Sequence, residues 1–179
     1  MAFDIIDGAA KTTKRPIHMH QRLGVFVDVQ NLFYSAKSSY QKKVDYDALL
    51  RKVVAGRALV RAIAYIVQTK EVDQKGFINQ LLEGGYEVKS RELKRRPDGS
   101  AKGDWDMGIA IDSIALADRI DVMILVSGDG DFCDLIRHLK ARGVRCEVYA
   151  FPQSTAEDLR RTSTEFVPLD SDVLLYDKK

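Results

Sequence analysis

The chain has 179 residues, 45% of them hydrophobic, enough to bury one full core in a single domain. Its 28 Lys and Arg nearly balance 26 Asp and Glu, so net charge alone points to no partner. Cys133 and Cys146 make neither a disulfide framework nor a zinc spacing, no apolar run approaches a membrane span, and no signal segment opens the chain; a cytoplasmic protein is expected.

Residues 1–21 are polar, are interrupted by Pro16 and lack periodicity, which suggests a flexible basic arm. "LGVFVDV" (23–29) is a short β-branched run and predicts a buried strand. A helix over "NLFYSAKSSY" follows, with Phe33 and Tyr34 expected to pack, and then "DYDALLRKVVAG", capped by Asp45 and stopped by Gly56. "ALVRAIAYIVQ" (58–68) reads as a strand, "VDQKGFINQLLEGG" as a helix, and "YEVKSRELK" (86–94) as a half-exposed strand. "RPDGS" is a turn by composition. "DMGIAIDSIALAD" reads as a largely buried helix and "VMILVS" as a strand. Next come an amphipathic helix, "FCDLIRHLKARG", and a strand, "VRCEVYAF". "STAEDLRR" opens with a capping-box pattern, Ser154 to Glu157, "EFVPLD" suggests a minor edge strand, and 171–179 suggest a tail. Strands alternating with helices predict one α/β domain over 22–170 with five principal parallel strands.

Charge is patterned rather than balanced. Residues 104–134 hold eight aspartates, no glutamate, no lysine and one arginine, whereas 89–102 hold six Lys or Arg. In a parallel sheet, ligands sit at the carboxyl ends of the strands where strand order reverses. The first strand ends on Asp28, with Asn31 one turn on, and the fourth ends on Ser127, Asp129 and Asp131. The intervening helix could add Asp104, Asp106 or Asp112. At 100° per residue Asp104 and Asp112 lie about 80° apart and Asp106 about 120° from Asp112, so at most two should reach one point. Clustered carboxylates repel unless a cation joins them, and Mg²⁺ or Mn²⁺ suits oxygen ligands beside a phosphate. Lys94, Arg95, Arg96 and Lys102 would then contact the phosphates of a polyanionic substrate.

Three segments, "VFVDVQN", "KGDWDMGIAID" and "LVSGDGDFCDLIRHLKARGVRCEVY", together resemble the NYN domain of the LabA type, within the PIN-like nuclease superfamily. The resemblance spans roughly 22–151. It implies a three-layer α/β/α fold with a mostly parallel five-stranded sheet, order 3-2-1-4-5, and metal-dependent endoribonuclease chemistry. By position it implies that Asp28, Asp106 and Asp129 are the catalytic, metal-holding acids, supported by Asn31, Asp112, Ser127 and Asp131. The family pattern Lys-Gly-x-Asp reads here as Lys102-Gly103-Asp104-Trp105-Asp106. The six-residue step to Asp112 favours Asp106 as the middle acid, with Asp104 the alternative.

Plainer roles compete at several positions. Asp28 and Asp131 would serve as helix caps, Asp112 as half of a salt bridge, Trp105 as a core or hinge residue, and Lys94–Arg96 as a solvated hairpin. The function expected is hydrolysis of RNA phosphodiester bonds through aspartate-bound Mg²⁺ or Mn²⁺ and an activated water, because no Ser, Cys or His is placed as nucleophile. The alternative is a non-catalytic RNA-binding regulatory module that retains the acidic pocket. The partner expected is RNA, single-stranded or structured, with no membrane and with a homodimer left open. Other α/β enzymes fit less well: no glycine follows the first strand as a dinucleotide fingerprint requires, and Gln30 stands where a haloacid-type phosphatase needs aspartate.

Overall fold

The first strand, β1 (Arg22–Asp28), is apolar at Leu23 and from Val25 to Val27, and these four side chains are fully buried. A strand apolar on both sides needs cover on both faces. The computed structural model, which describes residues 20–69, 72–95, 101–102 and 104–176, provides it. After β1 come α1 (Val29–Tyr40), α2 (Tyr46–Val54), β2 (Ala58–Gln68), α3 (Lys75–Glu83) and β3 (Glu87–Glu92). A small hairpin of β4 (Lys94–Arg95) and β5 (Ala101–Lys102) precedes α4 (Asp106–Leu116). Then follow β6 (Val122–Val126), α5 (Cys133–Ala141), β7 (Arg145–Ala150), α6 (Glu157–Thr162) and β8 (Glu165–Pro168).

The main sheet runs β3-β2-β1-β6-β7-β8, and every pairing in it is parallel. It keeps the expected 3-2-1-4-5 order and adds Glu165–Pro168 at the edge, giving six strands rather than five. Alternation along the strands divides the core in two. Leu23, Val25 and Val27 of β1 meet Leu32, Leu49 and Leu81 of α1, α2 and α3 on one face. Phe26, with Met123 and Leu125 of β6, meets Ile109, Ile136 and Leu159 of α4, α5 and α6 on the other. The result is the α/β/α layering. Among the described residues, no helix is long and apolar enough to cross a membrane.

Several local expectations change. Asp45 does cap α2, accepting from the Ala48 N–H at 2.9 Å, but the capping box at Ser154 does not form. Pro152 starts a 3₁₀ turn that takes in Ser154, and the N-cap of α6 is Ala156. The helix α4 is not largely buried. One stripe (Ile109, Ser113, Leu116) faces the sheet, while Met107 and Ile111 on the far side are exposed. Phe33 and Tyr34 are exposed rather than packed, because α1 buries the face carrying Val29, Leu32 and Ala36. Residues 171–176, expected as a tail, are tied down in part: Val173 and Leu174 are buried, and the Val173 carbonyl accepts from the Asp45 N–H at 2.8 Å. Residues 1–19 of the arm expected over 1–21, and the turn expected over 96–100, lie outside the described residues.

One ion pair lies inside the fold. Arg57, 8% exposed, donates to Glu147, 4% exposed, at 3.0 Å, and Arg145 meets the same carboxylate oxygen at 2.9 Å. Removing one partner of a buried pair leaves a charge with too little compensation. Arg57→Met is expected to destabilise the protein by about 3 kcal/mol in urea unfolding, the lower end for a broken buried pair because Arg145 still faces Glu147. An unchanged midpoint would show that Arg145 alone satisfies the carboxylate.

Candidate metal centre

The strands β1 and β6 lie side by side in register, with Val27 opposite Val126. Both chains therefore leave the core at the same point, on the carboxyl edge of the sheet. From β1 the chain turns at Asp28 into α1. Asp28 Oδ1 accepts from the Asn31 N–H at 3.1 Å and so caps the helix. From β6 the chain passes through Ser127 and Gly128 to Asp129, which opens a 3₁₀ turn (Gly130–Phe132).

These two exits are tied to each other by hydrogen bonds. The Ser127 hydroxyl, fully buried, donates to Asp28 Oδ2 at 3.3 Å and accepts from the Asp129 N–H at 3.2 Å. Asn31 Oδ1 accepts from the Gly128 N–H at 3.0 Å. Asp129 Oδ1 accepts from the Asp131 N–H at 3.0 Å, which curls the turn and brings Asp131 round. Gly128 allows the close approach of a further loop: a Cβ there would stand 2.6 Å from the Ser154 carbonyl oxygen and 3.1 Å from Thr155 Cα. The Gly128 carbonyl also accepts from the Ala156 N–H at 2.9 Å.

The third contributor is the first turn of α4. Trp105 anchors it, its indole N–H donating to the Ile66 carbonyl at the end of β2 at 2.8 Å. Its ring packs on Tyr65 and under Arg91, whose guanidinium carbon lies 3.7 Å from a ring centroid. The helix begins at Asp106, so that carboxylate is aimed at the strand ends. Asp106, Asp129 and Asp131 each place a carboxylate oxygen within 4.8 Å of the others.

Asp131, expected as support, is inside this trio, whereas Asp28, expected as a metal ligand, is not within it. The Asp28 oxygens accept from the Asn31 N–H and the Ser127 hydroxyl. Asp104 is exposed and precedes the helix; its backbone carbonyl, not its side chain, is held by Arg91 at 2.8 Å. Asp112 stands apart. Its carboxylate is bound by Lys89 Nζ at 2.7 and 2.8 Å and by the Tyr65 hydroxyl at 2.7 Å, the salt bridge weighed as its plainer role. Six residues beyond Asp106 the helix has turned about 120° out of line, which is why the two carboxylates diverge. Lys94, Arg95 and Lys102 lie on the β4–β5 hairpin, with Lys94 opposite Lys102, while Arg96 lies outside the described residues.

Sequence reasoning missed the Trp105–Arg91 latch and the Lys89–Tyr65–Asp112 cluster. Arg91 and Lys89 were read only as members of a basic block. The signal available was period-two spacing along β3, which sets both on one face, with Lys89 opposite Tyr65 of β2.

The electrostatics match the geometry. Burial pushes the Asp106 carboxyl up to about 6, helped by Asp104, Asp129, Asp28 and Asp131 around it. Burial raises Asp28 as well, with Asp129 adding to it and the Asn31 N–H and Ser127 hydroxyl opposing. Among the residues whose side chains are described, no salt bridge reaches Asp28, Asp106, Asp129 or Asp131. An all-carboxylate donor set under mutual repulsion suits a hard divalent cation.

A carboxyl held at about 6 in the fold, against an ordinary 3.8, ionises more easily in the unfolded chain. Folding of the metal-free protein is therefore unpenalised below about pH 4, penalised increasingly as pH rises to about 6, and penalised to a constant extent at higher pH. In EDTA at neutral pH, Asp106→Asn is expected to raise the melting temperature, by roughly 2–4 °C for each kcal/mol of repulsion removed. Near pH 4 the two proteins should melt together. A variant that melts lower at neutral pH would contradict the repulsion.

Comparison with known proteins agrees with this architecture. The NYN domain family matches residues 22–170. The chain is 28% identical to the low amplitude and bright protein LabA of Synechococcus elongatus over 160 residues, 83% of this chain and 84% of that one. A crystal structure of a Vibrio parahaemolyticus protein of unknown function is 36% identical, with a TM-score of 0.82, covering 88% of this chain and 98% of that one. A family match over most of the chain, on a parallel sheet whose carboxyl edge gathers aspartates, leads to one conclusion: the chain belongs to the NYN domain family.

Proposed function

We propose that the protein is a divalent-metal-dependent endoribonuclease that hydrolyses RNA phosphodiester bonds. The observation that carries this reading is the convergence of Asp106, Asp129 and Asp131 within 4.8 Å at the carboxyl edge of the sheet. A module that only bound RNA would gain nothing from gathering negative charge where a polyanion must lie. A binding-only role is therefore the weaker reading.

Asp106, Asp129 and Asp131 would hold the ion, Mg²⁺ or Mn²⁺ by the hardness of their oxygens. When bound, it supplies Lewis acidity, neutralising charge at the phosphoryl oxygens and making water acidic enough to act as nucleophile. The remaining residues orient. Ser127 joins Asp28 to the backbone of Asp129, Asn31 fixes Gly128, and the Trp105 anchor sets the direction of Asp106. Asp28 adds negative potential behind the trio, visible in its upward push on Asp106. The β4–β5 hairpin, with Lys94, Arg95 and Lys102, follows directly on β3 and leads to Asp106, so it would place phosphate contacts beside the acids.

Incubation of purified protein with end-labelled single-stranded RNA tests the reading. Cutting is expected with Mn²⁺ or Mg²⁺, none in EDTA, and a loss above about 100-fold in Asp129→Asn, since even outer contacts of a metal site are worth 10–100-fold. Wild type that binds the RNA and leaves it intact with either ion would overturn the nuclease and favour the binding module.

A further inference from the structure

At the carboxyl edge of the sheet the surface opens into a cavity of about 640 Å³, within the range of small-ligand clefts. Its wall is built at the same carboxyl edge: Val29 and Gln30 directly after β1, Ile66 and Val67 of β2, and Leu93 just after β3. It is mostly apolar, yet among the described residues no apolar side chain fills it.

The rim is formed by α1. Phe33 and Tyr34 stand 44% and 60% exposed, their rings in edge contact at 5.4 Å between centroids. Cations accompany the aromatic rings. Lys37 Nζ lies 5.8 Å from the Phe33 ring centroid, Lys43 lines the cavity, and Lys42 Nζ lies 5.5 Å from the ring of Tyr176, itself 75% exposed. Aromatic faces left in water with lysines interleaved suit a single nucleic-acid strand, whose bases stack while its phosphates meet cations. A protein partner with an apolar face would gain from the rings and lose by desolvating the lysines.

Position gives the same occupant. The helix that carries the rim is the one Asp28 caps, and Phe33 is about 7.5 Å along its axis from Asp28. A base seated there belongs to the same strand as a phosphate at the carboxylates. We infer that this cavity and its aromatic rim form a subsite for an unpaired nucleobase, stacked on one of the two rings, Phe33 or Tyr34, and met at its edge by the other, with the adjoining phosphates held by Lys37 and Lys43. The inference rests on the nuclease reading and narrows it: the substrate is single-stranded at this point, because a paired and stacked base presents no free face.

The test is fluorescence anisotropy of fluorescein-labelled single-stranded RNA with Ca²⁺ in place of Mg²⁺ or Mn²⁺, run beside the cleavage assay. Proteins compared are wild type, Phe33→Ala/Tyr34→Ala, and Phe33→Tyr/Tyr34→Trp; both positions are exposed, so folding should survive, and circular dichroism checks it. The alanine pair is expected to raise Kd at least about tenfold for the single strand, by loss of base stacking. It should raise KM more than it lowers kcat, and the aromatic pair should retain wild-type binding. A blunt duplex of matched composition should bind wild type and the alanine pair alike. Unchanged single-strand affinity in the alanine pair, with wild type still cutting, overturns the subsite alone. Weakened binding in that pair, with no cutting by wild type, keeps the subsite and overturns the nuclease. Wild type that neither binds nor cuts overturns both. A wild-type dimer in light scattering that becomes monomeric in the alanine pair, with RNA affinity unchanged, assigns the face to self-association instead.

Discussion

The parallel pairing of β1 with β6 is the constraint on which the rest depends. It sets Val27 opposite Val126, so two central, buried strands release their chains at one place. Everything polar at that place is then within hydrogen-bonding reach. Ser127 bridges from Asp28 to Asp129, and Asn31 closes the second link through Gly128. Shifting that register by one residue would turn Val27 and Val126 to the opposite face and separate the bridge. The site is thus a consequence of sheet order, with the apolar core on both faces holding the register.

Around that fixed edge lies charge that the described side chains do not neutralise. Asp112 shows what a satisfied carboxylate looks like here, with Lys89 on both oxygens and Tyr65 on one. Asp106, on the same helix, has its charge opposed by burial and by four neighbouring aspartates. A chain selected only for stability would relieve that repulsion with one lysine or with asparagine. Repulsion of this kind, less than two turns from a well-paired acid, is the conflict between local stability and global fold that concentrates where a ligand must bind.

The sheet was legible in the sequence because apolar runs such as "ALVRAIAYIVQ" and "VMILV" are short, β-branched and separated by helical periods. Asp28, Asp106 and Asp129 were legible as strand-end or helix-start acids. What stayed hidden depends on partners remote in sequence. Asp112 could not be assigned without Lys89, and the place of Asp131 in the trio depends on a two-residue turn, Asp131 N–H to Asp129 Oδ1. The exposure of Phe33 and Tyr34 was equally hidden. Periodicity places them off the buried stripe of α1 only once that stripe is known to run through Val29, Leu32 and Ala36. The apolar composition of α4 misled for the same reason, since it does not say that one face meets no other described element.

The central claim is that the aspartates at this edge hold a divalent ion, and paramagnetic broadening tests it most directly. In amide proton–nitrogen spectra, substoichiometric Mn²⁺ should first broaden the resonances of residues 104–107 and 127–132, with Asn31 close behind, and excess Mg²⁺ should restore them. Asp129→Asn should lose that selectivity. Broadening scattered over exposed acids such as Asp47 and Asp134, unchanged in Asp129→Asn, would contradict a metal centre at the β1–β6 edge.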